Sequence, residues 1–238
     1  MSVLTLVRHG QATAFQKDFD LLTETGESQA RKLAAFWLRN QVCYDEVYTG
    51  TLVRHIRTEQ IVARLYEDAG APWPTVTVLP GFNEYDAVGV LTRLVPVLAA
   101  RDERFAALVQ AFEIVRDTPD RNRPFQRMFE AAMLAWARGE AAVDGIEPWP
   151  AFRARIRQAL QRVMHGPPNR TVVVFTSGGP IGLSVQTALQ APERTFLDLN
   201  WRIRNCSLTE FVFSGDRFTL DSFNGIPHLD DVSLWTYR

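Results

Sequence analysis

Two short polar clusters stand where apolar runs end. The β-branched run Val3–Val7 gives way to Arg8-His9-Gly10-Gln11, and the run Thr171–Thr176 gives way to Ser177-Gly178-Gly179. In open parallel α/β sheets, ligands bind beyond the carboxyl ends of the strands. Backbone N–H groups at the start of a helix after Ser177 would form an anion site. An imidazole and a guanidinium beside such a nest point to phosphate rather than to a neutral ligand. Lysine occurs only as Lys17 and Lys32, so 24 of the 26 basic residues (26 − 2) are arginine. Arginine is the residue whose planar fork matches phosphate and carboxylate.

These clusters need elements to hold them. Val3–Val7 reads as a buried strand. Thr23 is placed to cap a helix over roughly 24 to 39, whose residues Ala30, Leu33, Ala34, Trp37 and Leu38 share one face. A short strand around Glu46 to Tyr48, a turn at Gly50, a helix from about Leu52 to Glu67 and a strand over Thr75 to Leu79 follow. From about Val88 to Gly139 the pattern is helical and rich in arginine, broken at Thr118-Pro119-Asp120 and Arg123-Pro124. A helix from about Pro150 to Met164 leads to the strand Thr171–Thr176 and to a helix opened by Pro180, the residue favoured at the first helical position. Leu208–Phe213 and Arg217–Phe223 alternate around Ser214-Gly215-Asp216 and read as a hairpin. Strands alternating with helices predict an α/β fold, a three-layer, mostly parallel sheet with helices on both faces, a helical insertion and an edge hairpin.

At 238 residues the chain fits one enlarged domain, 1–238, with an insertion at about 88–145, better than two equal lobes. Hydrophobic residues make up 46% and charged residues 22%, which excludes a disordered tail, a collagen-like fibre and a coiled-coil rod. The formal net charge of −1 leaves no global field to attract nucleic acid or an anionic membrane, so neither is expected as a partner. Cys43 and Cys206 lack nearby partners and a C-x-x-C spacing, which argues against a disulfide framework and a zinc site. Two reduced thiols are expected, with Cys43 near the core. The opening apolar run is too short for a signal peptide, and no stretch reaches the ~20 apolar residues of a membrane span. A cytoplasmic protein is the expectation.

Leu6-Val7-Arg8-His9-Gly10-Gln11, followed by Asp20-Leu21-Leu22-Thr23-Glu24-Thr25-Gly26-Glu27-Ser28-Gln29-Ala30, closely resembles the opening of the histidine phosphatase superfamily, the phosphoglycerate-mutase-like proteins. Tyr48 to Thr58 resembles the family's second segment, in which an arginine, here Arg54, precedes a threonine by four residues. Gly81-Phe82-Asn83-Glu84 is similar to the segment carrying the family's acidic residue. Glu147 with Arg155, Val172 to Gly179, and Asn224 with His228-Leu229 continue the likeness; the stretch from about 88 to 145 carries none.

The resemblance implies a phosphatase acting on a small phosphorylated metabolite, with no metal and no cofactor. His9 would attack phosphorus to form a phosphohistidine. Arg8 and Arg54 would clamp the phosphoryl oxygens, and Glu84 would protonate the leaving oxygen and then activate water. Gln11, Ser177 and Gly178 would complete the phosphate-binding set. The family usually carries a second histidine where this chain has Ser177. Exchanging a charge-assisted hydrogen bond of about 1.5–3 kcal/mol for a neutral one of about 0.5–1.5 kcal/mol implies a slower or more selective enzyme. Phe15 replaces an asparagine found in many members, which weakens a mutase reading relative to a phosphatase one. A phosphoglycerate-mutase-like phosphotransferase and a non-catalytic phosphate-binding module remain alternatives. His55 neighbours Arg54, but adjacent helical residues point in different directions, so it is not expected at the phosphate. His228 reads as a packing residue and His165 as a surface helix end.

Overall fold

The β-branched apolar run Val3–Val7, with Ser2 and Arg8 at its ends, forms the first strand, β1 (Ser2–Arg8), at the middle of a six-stranded sheet. The computed structural model describes residues 1–13 and 20–237; Phe15 and Lys17 lie outside them. The other strands are β2 (Glu46–Thr49), β3 (Val76–Val78), β4 (Thr171–Thr176), β5 (Leu208–Ser214) and β6 (Arg217–Gly225), in the order β3-β2-β4-β1-β5-β6. The first four in that order run parallel, and β5 and β6 add an antiparallel hairpin at one edge. β1 and β4 are neighbours with Arg8 opposite Thr176, so His9 and Ser177 leave the sheet side by side.

Alternation along the strands separates two apolar faces. Val7, Val47, Val173 and Phe175 pack with Leu33, Ala34 and Trp37 of α1 (Glu24–Arg39) and Val62 and Tyr66 of α2 (Val53–Asp68). Leu4, Leu6, Val172 and Val174 are equally buried on the alternate positions. That opposite face carries α8 (Gly178–Ala188), which is buried from Gly178 to Gln186.

The chain forms two compact units, Met1–Glu84 with Arg155–Arg238, and Tyr85–Ala154. The regular elements of the second among the described residues are all helical: the short turn α3 (Ala87–Gly89), a π-turn over Val90–Leu94, α4 (Val95–Arg101), α5 (Glu103–Val115) and α6 (Asn122–Arg138), with a non-helical stretch over 139–148. The π-turn immediately precedes Pro96, whose ring cannot fit a regular α-helical ladder. Tyr85, Trp136, Trp149 and Phe152 form an aromatic group in this unit, with ring centroids 5.2–5.6 Å apart around Trp136. The last helices are α7 (Trp149–Met164) and α9 (Arg194–Asn200).

Two expectations change. Cys43 is exposed in the connection between α1 and β2, whereas Cys206 is buried beside the end of β1. Its backbone N–H donates to the His9 carbonyl at 3.1 Å. Helix α8 begins at Gly178 with Ser177 as its N-cap residue, so Pro180 is the third helical residue rather than the first. Proline is still tolerated there because the first N–H groups of a helix have no intrahelical partner.

Candidate active site

The opening loop is held by three residues of the first helix. Thr23 caps α1, accepting from Gly26 N at 3.1 Å, and donates to Gln11 Oε1 at 2.9 Å. Gly10 and Gly26 touch backbone to backbone: a Cβ on Gly26 would overlap the Gln11 carbonyl, and one on Gly10 the Gly26 carbonyl. Gln29, fully buried, accepts from Gln11 N at 2.8 Å and donates to Leu234 O and Thr236 Oγ1 at 2.7 and 2.9 Å. From α2, Thr58 Oγ1 accepts from Gly10 N at 3.1 Å while donating to the Arg54 carbonyl at 2.7 Å. His9 is therefore fixed from both sides by its backbone.

Its ring is fixed too. The Nδ1–H donates to the Gly10 carbonyl at 2.7 Å, which leaves Nε2 as the nitrogen with a lone pair. Arg54 Nε donates to that Nε2 at 3.1 Å. Burial, then the Arg54 and Arg8 cations, hold the His9 imidazole well below its ordinary range, so it is neutral at pH 7. A neutral imidazole with one nitrogen anchored and the other facing a guanidinium has the chemistry to act as a nucleophile beside an anion-binding donor.

Arg54 projects from the first turn of α2 and is nearly buried. Its fork also reaches Asp20 Oδ1 through Nη1 and Ser177 Oγ through Nη2 at 3.4 Å. Asp20, in the left-handed region at φ 81°, uses its second oxygen to accept from Val53 N at 2.7 Å, capping α2. Arg8 stands on the opposite side of β1 from its neighbour, donates to the Ile203 carbonyl and lies beside Gly178. A Cβ at Gly178 would be 3.9 Å from Arg8 Nε and 3.0 Å from Asn200 Oδ1.

Glu84 arrives from the segment after β3. Its Oε2 accepts from Gly179 N at 3.1 Å, putting the carboxylate on the turn that starts α8. Two anchors hold that segment: Thr176 Oγ1 donates to the Phe82 carbonyl at 2.6 Å, and Arg155 donates to the carbonyls of Gly81, Asn83 and Glu84 at 2.9, 2.7 and 3.3 Å. Thus His9, Arg54, Ser177, Gly178, Arg8 and Glu84 are linked at the ends of β1 and β4. Gln11 hydrogen-bonds Thr23 at the rim of this loop.

Three participants went unassigned from sequence. Asp20 lies within the quoted opening segment but carried no role. Arg155 was matched as a motif residue, and its task of fixing the Glu84 backbone needs the fold to be visible. His55 is the larger surprise: its fully buried ring lies 5.7 Å from that of His9, and Nε2 is 2.6 Å from Ser177 Oγ. Adjacent helical side chains do diverge, but at a helix start facing two strand ends both directions meet the same site: Arg54 toward His9, His55 toward Ser177. His228 is buried against Phe36 at 6.3 Å, and His165 is exposed after α7. Among the described residues no group of three or more His, Cys, Asp or Glu side chains could hold a metal ion. No helix among them is long and apolar enough to cross a membrane.

The sequence model of the histidine phosphatase superfamily (branch 1) matches residues 4–111 and 120–225. No curated protein matches the chain. Among solved structures, a mutant phosphoserine phosphatase from Entamoeba histolytica in complex with phosphoserine is similar, with TM-score 0.61, 20% identity, and coverage of 96% of this chain and 100% of the other. Phosphoglycerate mutase from Bacillus anthracis gives TM-score 0.63 at 16% identity, covering 96% and 95%. A mycobacterial glucosyl-3-phosphoglycerate phosphatase gives 0.57 at 22%, covering 94% and 98%. At these identities the likeness is one of fold.

Proposed function

Since the chain belongs to the histidine phosphatase superfamily (branch 1), we propose that it hydrolyses a phosphate monoester of a small metabolite through a phosphohistidine on His9. The observation that carries this reading is the state of His9: neutral, with Nδ1 bound to the Gly10 carbonyl and Nε2 facing Arg54 at 3.1 Å.

In the first step His9 Nε2 forms a bond to phosphorus as the ester P–O bond breaks, and Glu84 gives its proton to the leaving alkoxide. In the second, water attacks phosphorus, Glu84 takes its proton, the P–N bond breaks and inorganic phosphate departs. Splitting one displacement into two is the gain from covalent catalysis. Arg54 and Arg8 supply positive charge to the equatorial oxygens, with the Ser177 hydroxyl and the N–H groups opening α8 as further donors. Metal-independent hydrolysis follows from giving that charge work to guanidinium groups. Relatives named for phosphoserine and glucosyl-3-phosphoglycerate support a small phosphorylated substrate. We read residues 1–238 as one catalytic domain in which about 88–145 is an insertion.

The test is turnover of a panel of phosphate monoesters by wild type and His9→Ala. The reading predicts phosphate release that depends on His9; equal rates for the two proteins would refute it.

A further inference from the structure

We propose, resting on the phosphatase reading, that His55 is a positioning residue for the reaction: it donates from Nε2 to Ser177 Oγ and so commits the Ser177 hydroxyl proton to a phosphoryl oxygen.

A hydroxyl has two lone pairs and one proton. Ser177 Oγ is fully buried and meets two ring or guanidinium nitrogens, His55 Nε2 at 2.6 Å and Arg54 Nη2 at 3.4 Å. Arg54 can only donate. If His55 also donates, both lone pairs are filled and the O–H is left for the anion attacked by His9. Each donor into the oxygen also polarises its O–H and strengthens the bond that O–H makes.

The surroundings of His55 select the tautomer this requires. Its Nδ1 is buried with no hydrogen-bond partner, so a proton there would be a buried donor without an acceptor, whereas a proton on Nε2 has Ser177 Oγ. Burial, then the Arg54 cation, keep the ring neutral, so only one nitrogen carries hydrogen. Gly50, at the end of β2, makes room for this placement: a Cβ there would overlap Nδ1. The ring is thus seated against backbone on one side and hydrogen-bonded to Ser177 on the other.

The experiment uses the full chain, p-nitrophenyl phosphate as probe, and His55→Leu, Ser177→Ala, their double variant, His55→Gln and His55→Asn, each checked for folding by thermal melting. His55→Leu and Ser177→Ala are each expected to lower kcat about ten- to a hundredfold, with KM moving by less than about threefold. The double variant should lose no more than Ser177→Ala alone, because His55 acts through the Ser177 hydroxyl. His55→Gln carries an amide nitrogen at the reach of Nε2 and should recover most of the rate; His55→Asn, whose nitrogen sits at the reach of Nδ1, should not. A folded His55→Leu protein with wild-type kcat, or single losses that multiply in the double variant, would overturn the proposal. Should His55→Leu fail to fold, the Gln and Asn variants decide, and equal rates for them overturn it. If His9→Ala matches wild type, the phosphatase reading itself fails; if His9 is required and His55→Leu is silent, only the role of His55 does.

Discussion

Arg54 binds the site together because one rigid fork reaches His9, Asp20 and Ser177 at once. Lysine keeps the charge but not the fork, so Arg54→Lys should lower kcat/KM by about a hundredfold, the size found for single oxyanion donors; steady-state kinetics would show it, and a change of less than about threefold would contradict it. His9 gives a pH signature. It must be unprotonated to attack, and burial with the neighbouring cations pushes it well below 6.5. The acid limb of kcat/KM should therefore lie clearly below pH 6.5, and a limb at or above 6.5 would contradict the assignment. His9, Arg54 and Glu84 were legible in sequence because each sits in a local motif. His55 was not, because helical geometry says that neighbours diverge and says nothing of Ser177, 122 residues away in sequence, arriving beside it at the end of β4.

At the scale of elements, the start of α1 matters as much as the residues it holds. Glu24–Arg39 was readable to its ends because a capping threonine, an amphipathic face and a terminal arginine agree. Thr23→Ala removes the cap and should cost about 1 kcal/mol in denaturant melts. Gly26→Ala should cost more, since the new methyl group would overlap the Gln11 carbonyl and the contact is backbone against backbone. It should also lower kcat, because the displaced loop carries His9; wild-type stability and rate in this variant would show that the close approach is dispensable. Other elements were harder. Helix α9 has seven residues, fewer than two turns, too short for an apolar face to stand out from its sequence. The start of α8 was misplaced by two residues because Pro180 resembles a first helical residue, while the Ser177 backbone is what opens the helix.

For the whole molecule, near-zero net charge conceals a division of labour among the arginines. Many form exposed pairs, such as Arg64 with Glu67 and Asp68, which are worth at most about 1 kcal/mol each. Arg170 is buried, pairs with Glu46 and donates to the carbonyls of Val163 and Pro167 at 2.7 and 3.1 Å, a structural use that composition could not separate from a catalytic one. Three of the four histidines are buried with lowered pKa: His9, His55 and His228, the last at about 4 because burial disfavours its cation. Below an unfolded pKa of about 6.5 the unfolded chain takes up protons that the native chain refuses, so stability is full above that pH and is lost as pH falls. His228 alone accounts for about 3 kcal/mol between pH 6.5 and 4. Glu59, raised by burial, acts in the opposite sense over part of this window, and three histidines against one carboxyl set the direction. Denaturant midpoints should fall between about pH 7 and pH 5, above the carboxylate range; a flat profile would contradict the buried neutral histidines. The central claim, a phosphoryl group passing through His9, is tested most directly by quenching the protein in base within the first turnover and weighing it intact. The account predicts one added phosphoryl group that is stable in base, lost in acid and absent from His9→Ala; an adduct that survives acid, or one that persists in His9→Ala, would contradict it.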